Sequence, residues 1–238
     1  MKLCDINISC LYLHQVFDET IPYKHIITVN AEAIVRAQTD NKLKTIINNN
    51  YATIDGQIPL WLYKHKHKQN VEKISGSDLI YDVCEWTKNK RYKIFLLGGN
   101  PDSNNIAVQK LREKYNINIS GFSPQYAPYP FPQEQDAKIV EKIKEFSPDI
   151  LFVAFGMGKQ EYWIYDHQNT LKNIGCKLAI GCGGTYDFVA EKIKRAPICI
   201  QKIGLEGVWR LIMEPKLFRV KRLITSFKIF YYLSLIHI

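Results

Sequence analysis

Hydrophobic positions along the chain fall into two alternating rhythms. Short runs rich in apolar and β-branched residues occur at His25–Val29, Tyr51–Ile54, Lys93–Leu97, Ile117–Gly121, Asp149–Phe155 and Lys177–Ile180, each of strand length. Between them lie stretches with helical spacing, predicting helices over Ala31–Gln38, Ser77–Asn89, Asn104–Tyr115, Gln133–Glu145 and Gln160–Asn173. The fourth of these opens after a turn containing Pro128, Pro130 and Pro132. Strands that alternate with helices, and whose apolar runs are nearly unbroken, predict an α/β fold: a Rossmann-like, mostly parallel sheet flanked by helices.

Past Ala196-Pro197 the strand rhythm stops. Leu205, Val208, Trp209 and Ile212 make one apolar stripe before Pro215, and Leu217, Val220, Ile224, Phe227 and Tyr231 continue it at intervals of three and four. Arg219, Arg222 and Ser226 take the opposite face, with Lys221 and Lys228 alongside. The expected organisation is therefore a Rossmann-like catalytic domain over residues 1–195 and a basic amphipathic helical appendage over 196–238. Two uses of that appendage stay open: its stripe packs onto the domain with the basic residues in water, or it lies on a membrane surface. Self-association through the stripe into a homo-oligomer is a third. The last six residues, Leu233–Ile238, read as a translated sequencing-adapter remnant and are set aside.

Composition sharpens this picture at two points. The formal charge is +9, from 32 Lys and Arg against 23 Asp and Glu, and ten of the basic residues fall between Lys192 and Lys228 against only Glu206 and Glu214. An anionic partner is implied, and it meets the C-terminal end. The six cysteines include no Cys-x-x-Cys pair, which points to reduced thiols in a cytosolic protein and away from zinc. Met1–Asp5 opens no signal-peptide pattern and no long uncharged apolar run follows, so a cytoplasmic protein that spans nothing is expected.

Ligands of a parallel sheet gather at the carboxyl ends of its strands, and the polar or glycine-bearing loops there are expected to converge on one crevice. Thr28-Val29-Asn30 places a hydroxyl and an amide at a strand end, although Asn30 serves equally as a helix N-cap. Asp55, in Ile54-Asp55-Gly56, suits a general base, although Asp-Gly is also an ordinary turn. Gly98-Gly99 before a helix either admits a phosphate close to the backbone or makes a tight turn. Lys159-Gln160-Glu161 and Gly183-Gly184-Thr185-Tyr186-Asp187 each follow a buried strand, and Gln160 can read ligand hydroxyls or act as a first-turn residue. His65 and His67 sit among lysines as a solvated basic stretch, and no Asp-x-Asp occurs, so no metal is implied. Gly-x-Gly-x-x-Gly and Gly-Lys-Ser/Thr are both missing, which argues against NAD and ATP and leaves no cofactor expected.

In order along the chain, Ile54-Asp55-Gly56, Ser75-Gly76-Ser77-Asp78, Leu96-Leu97-Gly98-Gly99, Lys159-Gln160-Glu161, Gly183 to Phe188, Lys194-Arg195-Ala196-Pro197 and Glu206 to Pro215 resemble the TagA/WecG/CpsF family of bacterial glycosyltransferases, glycosyltransferase family 26. The resemblance implies an inverting transfer of N-acetylmannosamine or its uronic acid. The donor would be a UDP-sugar and the acceptor an undecaprenyl-diphosphate-linked N-acetylglucosamine, in teichoic acid or other surface polysaccharide synthesis. It implies Asp55 as catalytic base with Thr28 and Asn30 in the same pocket, and Gln160 and Asp187 holding donor sugar and nucleoside. It also implies an appendage that supplies Arg210, Arg219 and Arg222 to the donor diphosphate and attaches the enzyme to the inner face of the cell membrane. Four positions depart from the family pattern: Lys73 stands where an arginine is common, Gly158 for a proline, Glu191 for a glycine and Gly207 for a tryptophan. Transfer of another hexose in capsule or exopolysaccharide assembly is the alternative within the family. A non-catalytic anion-binding module is the alternative outside it, and nucleic acid is disfavoured because aromatics are not interleaved with the basic residues.

Overall fold

The computed structural model describes residues 2–236; of the suspected adapter remnant, His237 and Ile238 lie outside the described residues. A small antiparallel pair, β1 (Lys2–Leu3) and β2 (Ile6–Asn7), and one helical turn, α1 (Leu13–Val16), precede β3 (Lys24–Val29). Then follow α2 (Ala31–Ala37), α3 (Asn41–Asn48), β4 (Tyr51–Ile54), α4 (Gln57–His67) and α5 (Gly76–Thr87). The alternation continues through β5 (Lys93–Gly98), α6 (Pro101–Tyr115), β6 (Asn118–Phe122), α7 (Gln133–Phe146) and β7 (Ile150–Ala154). Next come α8 (Lys159–Asp166), α9 (Gln168–Asn173), β8 (Leu178–Gly181) and α10 (Thr185–Val189). The chain finishes in α11 (Ile198–Lys202), α12 (Glu206–Met213), α13 (Leu217–Phe227) and α14 (Ile229–Ile236).

Strands β3 to β8 form one six-stranded parallel sheet in the order β4-β3-β8-β7-β5-β6, the α/β architecture expected. Every residue of β3, β7 and β8 is buried, and β7 and β8 accordingly read as unbroken apolar runs. Strand β3 also buries the polar Lys24, His25 and Thr28; burial pushes the His25 imidazole down to about 3, so it stays neutral.

The predicted helix over Gln160–Asn173 is two helices, broken at His167. The imidazole there makes hydrogen bonds through Nδ1 with the Trp163 carbonyl (2.9 Å) and through Nε2 with Asp136 Oδ2 (2.9 Å), at a backbone φ of −103°. Helices α3 and α4 and the β1–β2 pair carry no prediction.

The chain divides into two compact units. The first comprises Met1–Asp18, Ile27–Ser75 and Ile193–Ile238, the second Glu19–Ile26 and Gly76–Lys192. In the second, Phe95, Leu97, Leu151, Val153, Trp163 and Ile164 pack with Ile139 and Ile143 of α7 into a continuous core. In the first, α13 and α14 lie against α2, and Ile229 is fully buried. The apolar stripe of the appendage, however, points outward: Leu217 is 72% exposed, Ile224 58%, Phe227 51% and Tyr231 61%. The Arg219 side chain is only 10% exposed, the reverse of the arrangement with the stripe packed and the basic face in water. No helix among the described residues is long and apolar enough to cross a membrane.

Candidate active site

Within the first unit, β3 ends at Val29, whose carbonyl accepts a hydrogen bond from the Asp55 amide at 2.9 Å. That bond sets Asp55, one residue beyond β4, beside the Thr28–Asn30 strand end. Thr28 is buried, and Asn30 caps α2, its Oδ1 accepting from the Ala33 amide at 2.9 Å. The capping role of Asn30 is thus real and leaves its Nδ2 group for other work. Gly56 follows with φ +94°, a backbone shape that turns the chain sharply after the carboxylate. Ile74 donates to the Ile54 carbonyl (2.8 Å) and accepts from Thr53 Oγ1 (2.8 Å), which pins the segment carrying Lys73 along the end of β4.

The three arginines of the appendage also lie in this unit, and their partners differ. Arg219 gives both Nε and Nη2 to Glu214, which Lys216 also pairs at 2.6 Å. Those cations hold the Glu214 carboxyl below its usual range although burial opposes them. Arg222 Nε donates to Glu32 Oε2 at 2.5 Å. Arg210 projects from α12, half-buried, one residue after Trp209, whose indole donates to the Lys194 carbonyl at 3.1 Å. Glu32 is a residue that sequence reading missed: it looks like an ordinary first-turn acid, and its partner lies 190 positions away.

Within the second unit, β5, β7 and β8 end level with one another, Leu97 opposite Val153 and Val153 opposite Gly181. Gly98 (φ +84°) and Gly99 (φ +73°) are glycines for packing as well as for conformation. A Cβ at Gly98 would lie 2.8 Å from the Phe155 ring, and one at Gly99 2.7 Å from Tyr186. The Gly99 amide is engaged by the Ala154 carbonyl at 3.0 Å. Asn100 Oδ1 accepts from the Asp102 and Ser103 amides at the start of α6.

Gln160 and Glu161 are both buried, at 2% and 0% exposure. Glu161 accepts from the Gly158 amide (2.6 Å) and from Gln160 Nε2 (2.8 Å), while Gln160 Oε1 accepts from the Gly183 amide (3.1 Å). The pair therefore ties the loop after β7 to the loop after β8. Gly183 itself opens onto unfilled space, and Gly184 precedes α10. Asp187 accepts a hydrogen bond from Ser103 Oγ at 2.7 Å, and Ser103 is a second residue sequence reading did not find. Burial pushes the Cys182 thiol up to about 12, so the cysteine in this loop stays protonated and is no nucleophile.

Polar and glycine-bearing loops at the carboxyl ends of a parallel sheet are where an enzyme of this architecture gathers its ligands. The comparison with known families is specific: the sequence model of the Glycosyl transferase WecG/TagA/CpsF family matches residues 1–237, and the chain belongs to that family. It is a glycosyltransferase.

The departures from the family pattern now have physical content. Gly158 has φ +91°, a value closed to proline. Glu191 sits at φ +58°, the left-handed region that a glycine occupies without strain, and its carboxylate pairs with Lys110 at 2.9 Å. A Cβ at Gly207 would touch Leu223 Cδ1 at 3.4 Å, so this position lies directly against α13.

Proposed function

We propose that this glycosyltransferase is an inverting, UDP-sugar-dependent enzyme that works without a metal. It transfers N-acetylmannosamine or its uronic acid to a lipid-diphosphate-linked N-acetylglucosamine at the inner face of the cell membrane. The observation that carries the reading is Asp55, an acidic residue whose backbone is held at a strand end beside Thr28 and Asn30 in a chain matched to the family over residues 1–237. In the proposed reaction Asp55 takes the proton of an acceptor hydroxyl, the oxygen attacks the anomeric carbon from the face opposite UDP, and the bond to UDP breaks with its electron pair. Configuration inverts in that single displacement.

Negative charge grows on the departing diphosphate, and arginines meet it in place of a cation. Arg222 takes that task with Arg210, while Arg219, expected to join them, is spent on Glu214 and holds the helix that carries Arg222. Thr28, Asn30 and Lys73 line the acceptor side. Asp187, fixed by Ser103, holds the nucleoside. Gln160, Glu161, Gly98, Gly99, Gly183 and Gly184 shape the donor loops, Gln160 acting through the Gly183 loop it holds as well as on the sugar. The outward apolar stripe with its basic flank rests on the membrane, where a lipid-linked acceptor resides.

The test is UDP release measured over a panel of UDP-sugars with a lipid-diphosphate N-acetylglucosamine acceptor. UDP-N-acetylmannosamine or its uronic acid should give acceptor-dependent release in the presence of EDTA. Release from a different hexose donor replaces the donor assignment, and release from none removes the UDP-sugar reading.

A further inference from the structure

We infer that Glu32 is a positioning residue for the transfer reaction: it grips one edge of the Arg222 guanidinium and leaves the other edge to the donor diphosphate. This rests on the reading above that Arg222 meets that diphosphate. Glu32 occupies the second position of α2, two residues after Asn30, and is 3% exposed. A carboxylate so buried is costly unless both oxygens are satisfied. Here Oε2 accepts from Arg222 Nε at 2.5 Å and Oε1 pairs with Arg36 Nη2 at 2.9 Å. The first turn of a helix also favours an anion through its unpaired amides.

The way Arg222 is held matters as much as the pairing. A guanidinium offers five N–H donors on two usable edges, and an end-on pair of terminal nitrogens matches two phosphate oxygens. Glu32 takes the Nε side alone, and the terminal nitrogens of Arg222 donate to no group among the described residues, with 38% of the side chain exposed. Arg219 is the contrast: Glu214 occupies its Nε and Nη2 together, and the side chain is 10% exposed. Arg222 is thus oriented by one anion and open to a second.

An anchor alone would not need this arrangement. Helix α13 lies against α2 while Leu217, Val220, Ile224 and Phe227 face outward, so no apolar residue of that stripe fixes the helix in place. A well-packed apolar pair serves anchoring as well as a buried ion pair does, or better. What the ion pair adds is a fixed guanidinium.

The experiment is a double-mutant cycle on the full chain, read as the Kd for UDP by calorimetry and as turnover with the donor accepted in the UDP-release panel. A purely structural loss lowers the folded fraction and the melting temperature but leaves the Kd of folded protein unchanged. Glu32→Ala, and Glu32→Gln in case the alanine variant fails to fold, should weaken UDP binding by about fivefold or more. Arg222→Ala should weaken it by at least as much, and adding a Glu32 substitution to Arg222→Ala should cause no further loss. Folded Glu32 variants with wild-type Kd and turnover, or losses that multiply in the double mutant, overturn the inference while leaving Arg222 in its role. If Arg222→Ala alone binds UDP and turns over as wild type, the role of Arg222 falls, and that of Glu32 falls with it.

Discussion

A strand-end aspartate before a glycine is commonplace. What distinguishes Asp55 is that its amide is bonded to the Val29 carbonyl, which fixes its backbone next to a buried threonine and an asparagine that caps the neighbouring helix. Asn at this position keeps shape and hydrogen bonding but has no basicity, so Asp55→Asn should lower turnover by about 100-fold or more with the Kd for UDP unchanged. Turnover near wild type in a steady-state UDP-release assay would take Asp55 out of the chemistry. At this scale the sequence disclosed residues whose signal is local: Asp55, Asn30, Gln160 and the paired glycines all announce themselves within a few positions. It did not disclose Glu32 or Ser103, because each acquires its meaning from a partner far along the chain, Arg222 and Asp187 respectively.

Elements were legible where burial was two-sided and obscure where it was partial. Strands β7 and β8 emerge from apolar runs because they are buried throughout. Helix α4 escaped because only Pro59, Leu60 and Tyr63 are buried and its last turn is Lys64-His65-Lys66-His67, a sequence that reads as a solvated stretch. Helix α3 buries Leu43, Ile46 and Ile47 between asparagine-bearing ends, too short a pattern to stand out. The end of β8 allows a sharp test of the loop tie. A Cβ on Gly181 would sit 2.7 Å from Gln160 Nε2 and 3.0 Å from Glu161 Oε1, whereas one on Gly183 meets nothing within 4 Å. Gly181→Ala should therefore cost about 1–3 kcal/mol by overpacking and disturb both glycine loops together. Gly183→Ala, strained only through its φ of +55°, should cost about 1–2 kcal/mol. Thermal denaturation compares the two stabilities, and UDP affinity shows whether the loops moved: equal affinity in the Gly181 variant would mean that the Gln160–Glu161 tie does not shape the donor side.

Over the whole molecule, charge and apolar exposure coincide. The net charge of +9 is concentrated toward the C-terminal end, and the same end exposes Ile212, Leu217, Ile224, Phe227 and Tyr231, a cluster that a soluble surface rarely leaves in water. Basic flanks attract an anionic bilayer over roughly a Debye length, and apolar side chains then contribute area-dependent binding that salt does not weaken. The two contributions separate experimentally. Binding to vesicles containing phosphatidylglycerol should weaken as salt rises from about 0.05 to 0.5 M, on the scale set by screening, yet not vanish. Ile224→Glu with Phe227→Glu should abolish the salt-resistant part without unfolding the chain, since both side chains are at least half exposed. Transfer to an acceptor embedded in those vesicles should fall in parallel, while UDP affinity holds. If the double variant binds vesicles as the wild type does, the stripe has another occupant, and sedimentation of the unmodified chain as a dimer would identify it as a second copy of the same helix.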